Sequence, residues 1–251
     1  MISVAVSKIA VIGGLTQERI ASRGEVYEGT IILQNMGDEP QAVRLYQTDY
    51  RYFADGTVDY GNPGQNPRSN ASWINYSPRQ LTLVAGERAT INYIVTVPDD
   101  LTIVGTYWSL MMVEPVPEIV PEELEKGLVG IREVTRYGIQ MRTHINDTGI
   151  KELTFLNSKL FAEDSSRVFQ IDLENTGERR LDVLLWVDLY DLQGNHMGKF
   201  EADNFSFYPT TSVRKQIDLS DVPVGMYKAL IIADGGEDAL FGANYTFKIE
   251  E

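Results

Sequence analysis

The sequence contains no cysteine. Structural disulfides, thiolate metal sites and cysteine nucleophiles are excluded together. Histidine is nearly as scarce, with only His144 and His196, read as lying in different domains. A catalytic triad or a histidine-rich metal site would need them to meet, so both are read as structural or surface side chains. No run reaches the ~18 apolar residues of a membrane span. The opening residues, MISVAVSKIAV, lack the basic-then-apolar shape of a secretory leader and read as a strand. Glycine-rich phosphate loops and nucleophile elbows are missing as well. Neither a cofactor nor an enzymatic activity is expected.

Positive charge is also short. Lys and Arg number 22 against 36 Asp and Glu, giving a net charge of −14. A surface of that sign repels phosphate backbones and anionic head groups, so nucleic acid and membrane surfaces are not expected partners. The 43% hydrophobic content is enough for a packed core, and 251 residues accommodate two ordinary domains.

What the chain does have is the alternation of half-buried β-strands. In Val26 to Asn35, Tyr27, Ile31 and Leu33 fall on one face and Glu28, Thr30 and Gln34 on the other. Ala89, Ile91, Tyr93, Val95 and Val97 alternate in the same way. Turn residues separate the runs: Asn35 to Pro40, Asp55-Gly56, Ala85-Gly86-Glu87 and Pro98-Asp99-Asp100. After the break at Gly13-Gly14, the segment before Val26 reads as polar. Residues 114–133, EPVPEIVPEELEKGLVGIRE, form a long acidic, proline-rich connection, and Val134 to Ile145 returns as a strand with Tyr137, Ile139 and Met141 on one side.

The second half repeats the order of the first. Gln34-Asn35-Met36-Gly37-Asp38 corresponds to Glu174-Asn175-Thr176-Gly177-Glu178, and Gly105-Thr106-Tyr107 to Gly225-Met226-Tyr227. Between these markers each half carries a long strand, a turn, a proline corner and an alternating strand. The pattern predicts an all-β protein of two tandem immunoglobulin-like antiparallel sandwiches, residues 1–147 and 148–251, with about seven strands in each.

Two side-chain groups merit weighing as sites. Asp49, Asp55 and Asp59, in DYRYFADGTVDYGN, are candidate calcium ligands, although their spacing matches no EF-hand and Asp55-Gly56 is already accounted for by a turn. Tyr46, Tyr50, Tyr52, Tyr60, Trp73 and Tyr76 crowd the middle of the first domain and could present a stacking surface, against the simpler reading of core packing.

The strand-and-turn GTIILQNMGDEPQAVRLY, the corner-and-strand SPRQLTLVAGERATINYIV, and the strand GTYWSLMMVEPVP leading through a proline-rich loop to VTRYGIQMRTHIN together resemble the N-terminal domain of periplasmic pilus-assembly chaperones. The resemblance covers residues 3–146 by pattern and the remainder by architecture. It implies a periplasmic or extracellular protein, its leader removed, that binds a polypeptide such as a pilin-like subunit at a sheet edge or in a cleft. In that family a basic residue on the first strand and another on the last strand of domain one anchor the subunit's terminal carboxylate. Lys8 and Arg142 are the nearest counterparts here. Val134, Arg136, Tyr137, Ile139 and Met141 would form the receiving strand, although Arg136 and Gly138 interrupt its apolar alternation. The alternative is a structural or adhesive surface protein that binds a cell-wall or host polymer through its aromatics.

Overall fold

The computed structural model describes residues 9–116, 134–163 and 166–249. Lys8 and residues 117–133 of the acidic connection lie outside the described residues. The chain divides into two compact units. One comprises residues 1–50, 60–103 and 107–146, and the other residues 51–59, 104–106 and 147–251. The second unit thus takes in two short pieces of the first half of the sequence, which a single cut at 147/148 does not express.

In chain order the strands are β1 (Ile9–Ile12), β2 (Thr16–Ala21), β3 (Val26–Asn35), β4 (Gln41–Thr48), β5 (Arg51–Tyr52), β6 (Val58–Asp59), β7 (Ile74–Ser77), β8 (Gln80–Leu83), β9 (Arg88–Thr96), β10 (Gly105–Pro115) and β11 (Tyr137–Ile145). They continue with β12 (Leu153–Glu163), β13 (Ser166–Asn175), β14 (Leu181–Tyr190), β15 (His196–Glu201), β16 (Phe205–Phe207), β17 (Ser212–Asp218), β18 (Gly225–Asp234) and β19 (Leu240–Ile249). A single 3-10 turn at Ala71–Trp73 is the one helical element among the described residues.

The first unit stacks the sheet β1-β3-β9-β7 on the sheet β2-β11-β10-β4-β8. Between them lie Ile31, Leu33, Ile91, Val95, Met111, Val113, Ile139 and Met141. These are the inward positions of the alternating runs, whose outward partners remain in solvent. Strand β1 pairs antiparallel with β3 from Ile9↔Asn35 to Ile12↔Ile32. The chain then crosses to the other sheet through Gly13 and Gly14, whose φ values of 94° and 106° suit glycine alone. It continues as β2, parallel to β11 from Thr16↔Gln140 to Ala21↔Ile145.

Strand β2 was not legible in the sequence, where its stretch read only as a polar segment. It is an edge strand, TQERIA, with only Ala21 fully buried. A strand solvated on both faces has no reason to alternate, so the hydrophobic pattern is silent there. His196–Glu201 (β15) is a second edge strand of the same kind.

The second unit packs β12-β13-β17 against β15-β14-β18-β19, with β16 added to one end of β14. Its core is built from Phe169, Ile171, Leu185, Val187, Leu189, Phe207, Ile231 and Phe247. The β5–β6 hairpin belongs to this unit. Tyr52 packs against its core, and the Ala54 N–H donates to Ser212 Oγ at 2.9 Å. Gly105 belongs here too, with φ +75° and the Glu178 carbonyl oxygen only 2.0 Å from where a Cβ would sit. The next residue, Thr106, donates its N–H to that carbonyl at 2.8 Å.

Candidate polypeptide-binding edge

Strand β11 lies one in from the edge of the second sheet of unit one, between β10 and the edge strand β2. Its alternation is as the sequence predicts. Ile139 is 0% exposed and Met141 2% exposed, and Tyr137 packs half-buried against the same core. These three side chains are therefore committed to the unit's own interior. Any partner contact they make is through backbone, and the side chains left to meet a partner are those at the even positions.

Pairing with β2 begins at Gln140, whose N–H donates to the Leu15 carbonyl at 2.9 Å. Tyr137, Gly138 and Ile139 have no strand on that side among the described pairings. Glycine at 138 keeps the outer surface low, because a Cβ there would stand 3.3 Å from Leu110 Cδ1 and 3.4 Å from Met112 Sδ. Val134, 38% exposed, precedes this stretch. Arg136 donates to Tyr46 Oη at 3.4 Å, beside the Arg44–Glu114 ion pair at 2.8 Å. The Arg44 hydrogen bond holds the Glu114 carboxyl below its ordinary range.

Further along, β2 is fastened to β11 by one carboxylate. Glu18 accepts from His144 Nε2 at 2.7 Å and lies 3.6 Å from Arg142 Nη1. Arg142 also donates through Nε to Gln140 Oε1 at 3.0 Å. Beneath this clasp lies a cavity of 240 Å³, lined by Glu18, Arg19, Tyr27, Glu28, Tyr93 and Arg142, among others. Tyr27 shares a 2.7 Å hydrogen bond with Thr143. Burial raises the pKa of both Tyr27 and Tyr93, so at neutral pH these phenols stay protonated. Tyr93 reaches in over Gly29, where a Cβ would lie 2.2 Å from its hydroxyl.

Lys8 lies outside the described residues. Its neighbour Ile9 pairs with Asn35, at the far end of β3 from Tyr27, the residue that meets Thr143. The basic residue that β2 adds to the lining of the same cavity is Arg19. It is registered against Thr143, its guanidinium carbon is 5.9 Å from the Tyr27 ring centre, and it shares the cavity wall with Arg142. The sequence could not single it out, because β2 itself was invisible to the hydrophobic pattern.

The other candidates do not converge. Among the described residues no three His, Asp or Glu side chains gather as a metal site. Asp49 is 3% exposed and accepts from the Gly64 N–H at 3.1 Å, the Asn66 N–H at 2.7 Å and the Ser69 hydroxyl. Asp59 pairs with Arg51 at 2.8 Å, and Asp55 accepts from the Thr57 N–H at 2.8 Å, a bond that lowers its pKa. The aromatics also separate. Tyr76 is in the first unit's core, Tyr52 packs in the second, and Trp73 packs tilted against Tyr107, ring centres 4.6 Å apart. Only Tyr60 is widely exposed, 5.3 Å from Tyr50. His196 pairs with Asp188 at 3.0 Å on β14, in the other unit from His144.

No protein-family model matches this chain, and no curated protein matches it in sequence. Solved structures do. A chaperone–tip adhesin complex of CFA/I fimbriae biogenesis gives a TM-score of 0.51 at 12% identity, over 96% of this chain and 98% of that chain. The CsuC–CsuE chaperone–tip adhesion subunit pre-assembly complex of Acinetobacter baumannii gives 0.49 at 14% identity, over 98% and 100%. The class 5 fimbriae chaperone CfaA gives 0.48 at 14% identity, over 97% and 100%. At such identities the likeness is one of fold, and it rests on the first of these structures. The chain has the two-domain, immunoglobulin-like fold of the fimbrial chaperones, as the sequence resemblance implied.

Proposed function

We propose that this protein is an extracytoplasmic, chaperone-like binding module that receives an extended segment of a partner polypeptide along β11. The observation that carries the reading is the interrupted edge: β2 covers β11 from Gln140 onward and leaves Tyr137 to Ile139 without a neighbour on that side among the described pairings. An incoming strand gains main-chain hydrogen bonds there, and one of its side chains can settle over Gly138 toward Leu110 and Met112. Arg142 and Arg19, on the wall of the adjacent cavity, supply positive charge for a chain-terminal carboxylate. Fimbrial subunits, the partners named for the structures of similar fold, are the class of polypeptide this arrangement suits.

The test separates anchor from clasp. Arg142→Gln combined with Arg19→Gln should abolish capture of the partner from an envelope fraction while the circular dichroism spectrum stays that of the parent. Glu18→Gln, which loosens the clasp and keeps both arginines, should retain capture. Equal capture by the double variant would remove the arginines from the account.

A further inference from the structure

At the seam between β2 and β11 the two oxygens of one carboxylate do different work. The parallel register sets Glu18 opposite Arg142 and Ile20 opposite His144. Glu18 Oε1 accepts from His144 Nε2 at 2.7 Å, a full hydrogen bond. Glu18 Oε2 lies 3.6 Å from Arg142 Nη1, beyond hydrogen-bond length. The first contact fastens β2 to its neighbour. The second compensates charge without a direct bond.

The guanidinium is fixed from its other side. Gln140 Oε1 accepts from Arg142 Nε at 3.0 Å and also from Nη2. The Gln140 N–H is held in turn by the Leu15 carbonyl at 2.9 Å. Arg142 is therefore already oriented, with Nη1 turned toward Glu18. Of the two side chains the arginine is the covered one, 14% exposed against 43% for the acid. When this pair opens, it is Glu18 that has solvent to move into.

We propose that Glu18 is a resident carboxylate, which holds Arg142 until a chain-terminal carboxylate displaces it and so decides which acids the anchor accepts. The inference rests on the reading of β11 as the receiving strand and Arg142 as part of its anchor. A small acid arriving alone competes with a carboxylate that β2 keeps beside the arginine at high effective concentration. An acid at the end of a strand already paired to Tyr137–Ile139 arrives with the same advantage. It also closes to about 2.8 Å of the guanidinium, a distance Glu18 does not reach. Glu18 keeps its bond to His144 throughout, so β2 stays in register while the anchor changes partner.

Fluorescence polarisation tests the exchange. The probe is the extended pentapeptide Val-Thr-Val-Thr-Val, labelled at its N-terminus and made both as free acid and as C-terminal amide. The parent protein should bind the free acid more tightly than the amide. Glu18→Gln should tighten the free acid about fivefold and leave the amide unchanged. Acetate should compete with the free acid at lower concentration in Glu18→Gln than in the parent. Adding Arg142→Gln to Glu18→Gln should abolish the gain, and Asp38→Asn, an equal change of net charge on the turn after β3, should bring none. If parent and Glu18→Gln hold acid and amide equally, or hold neither, the carboxylate anchor falls and this inference with it. If the parent prefers the acid but Glu18→Gln brings no gain, tightens both peptides alike, or keeps its gain without Arg142, the anchor stands and the resident carboxylate is overturned.

Discussion

Asn35 and Asn175 occupy the same place in the two units and make the same set of bonds. Each side chain is fully buried. Asn35 donates through Nδ2 to the carbonyls of Glu39 at 2.7 Å and Leu83 at 3.0 Å, and Asn175 does so to Arg179 at 2.8 Å and Phe207 at 3.2 Å. Each accepts through Oδ1 from the glycine two residues on, Gly37 at 2.9 Å and Gly177 at 3.1 Å. The shared Asn-x-Gly spacing is thus the trace of one structural device used twice. It closes the turn after β3 in one sandwich and after β13 in the other, and the amide satisfies carbonyls that burial would otherwise orphan.

Replacing either amide should therefore cost its own unit and spare the other. Asn35→Ala and Asn175→Ala are each expected to lower stability by about 3 kcal/mol, since buried carbonyls lose their donors. Native-state amide exchange, read separately for the two cores, should show faster opening in the altered unit alone.

Asn70 sets up a second prediction. It is 1% exposed, donates to the Met141 carbonyl and to Thr143 Oγ1 at 3.0 Å each, and accepts from the Ser109 hydroxyl at 2.8 Å. This amide ties the loop after residue 61 to β10 and β11. Asn70→Ala should destabilise the first unit by about 2 kcal/mol, with exchange accelerated first at Met141 and Thr143.

Gly105 is the most demanding glycine in the second unit. With φ at +75° and the Glu178 carbonyl 2.0 Å from a Cβ position, both conformation and space oppose a side chain. Gly105→Ala should cost about 3 kcal/mol or more, seen as a lowered urea midpoint. Gly86→Ala, at φ +75° with nothing within 4 Å, is the control and should cost about 1 kcal/mol.

The acid limb of stability follows from carboxylates whose folded pKa values are depressed: Glu114 by its bond to Arg44, and Asp55, Asp100, Asp191 and Asp218 by turn hydrogen bonds. A depressed carboxylate stabilises the fold above its unfolded pKa and loses that contribution as pH falls through the folded value. Stability should therefore decline on acidification below the ordinary carboxylate range. In Glu114→Gln, that decline should be shallower in thermal melts followed across pH.

Much of the scaffold was legible in the sequence, for a physical reason. Strands such as β3, β9 and β14 bury one face, so their apolar residues alternate and their positions follow. The edge strands β2 and β15 bury little and leave no such trace. That is why Arg19 on β2 drew no attention, whereas Arg142, named through the family resemblance, lies on the half-buried β11 that the pattern does reveal. Ile139 and Met141 were read on the correct face of β11, yet that face is the unit's interior. Periodicity reports which residues share a face and leaves open what covers it. The β5–β6 hairpin was visible from Asp55-Gly56, but its membership of the second unit depends on contacts distant in sequence.

The proposed binding edge is tested most directly by site-specific photo-crosslinking. A photoreactive phenylalanine at Arg136, an exposed even position beside the edge, with a control at exposed Leu101, is expressed in the native envelope and irradiated. The account predicts a discrete polypeptide adduct at 136, lost when Arg142 and Arg19 are both changed to Gln, and none at 101. Adducts of equal yield at both positions, or none at 136 in the presence of the partner, would contradict it.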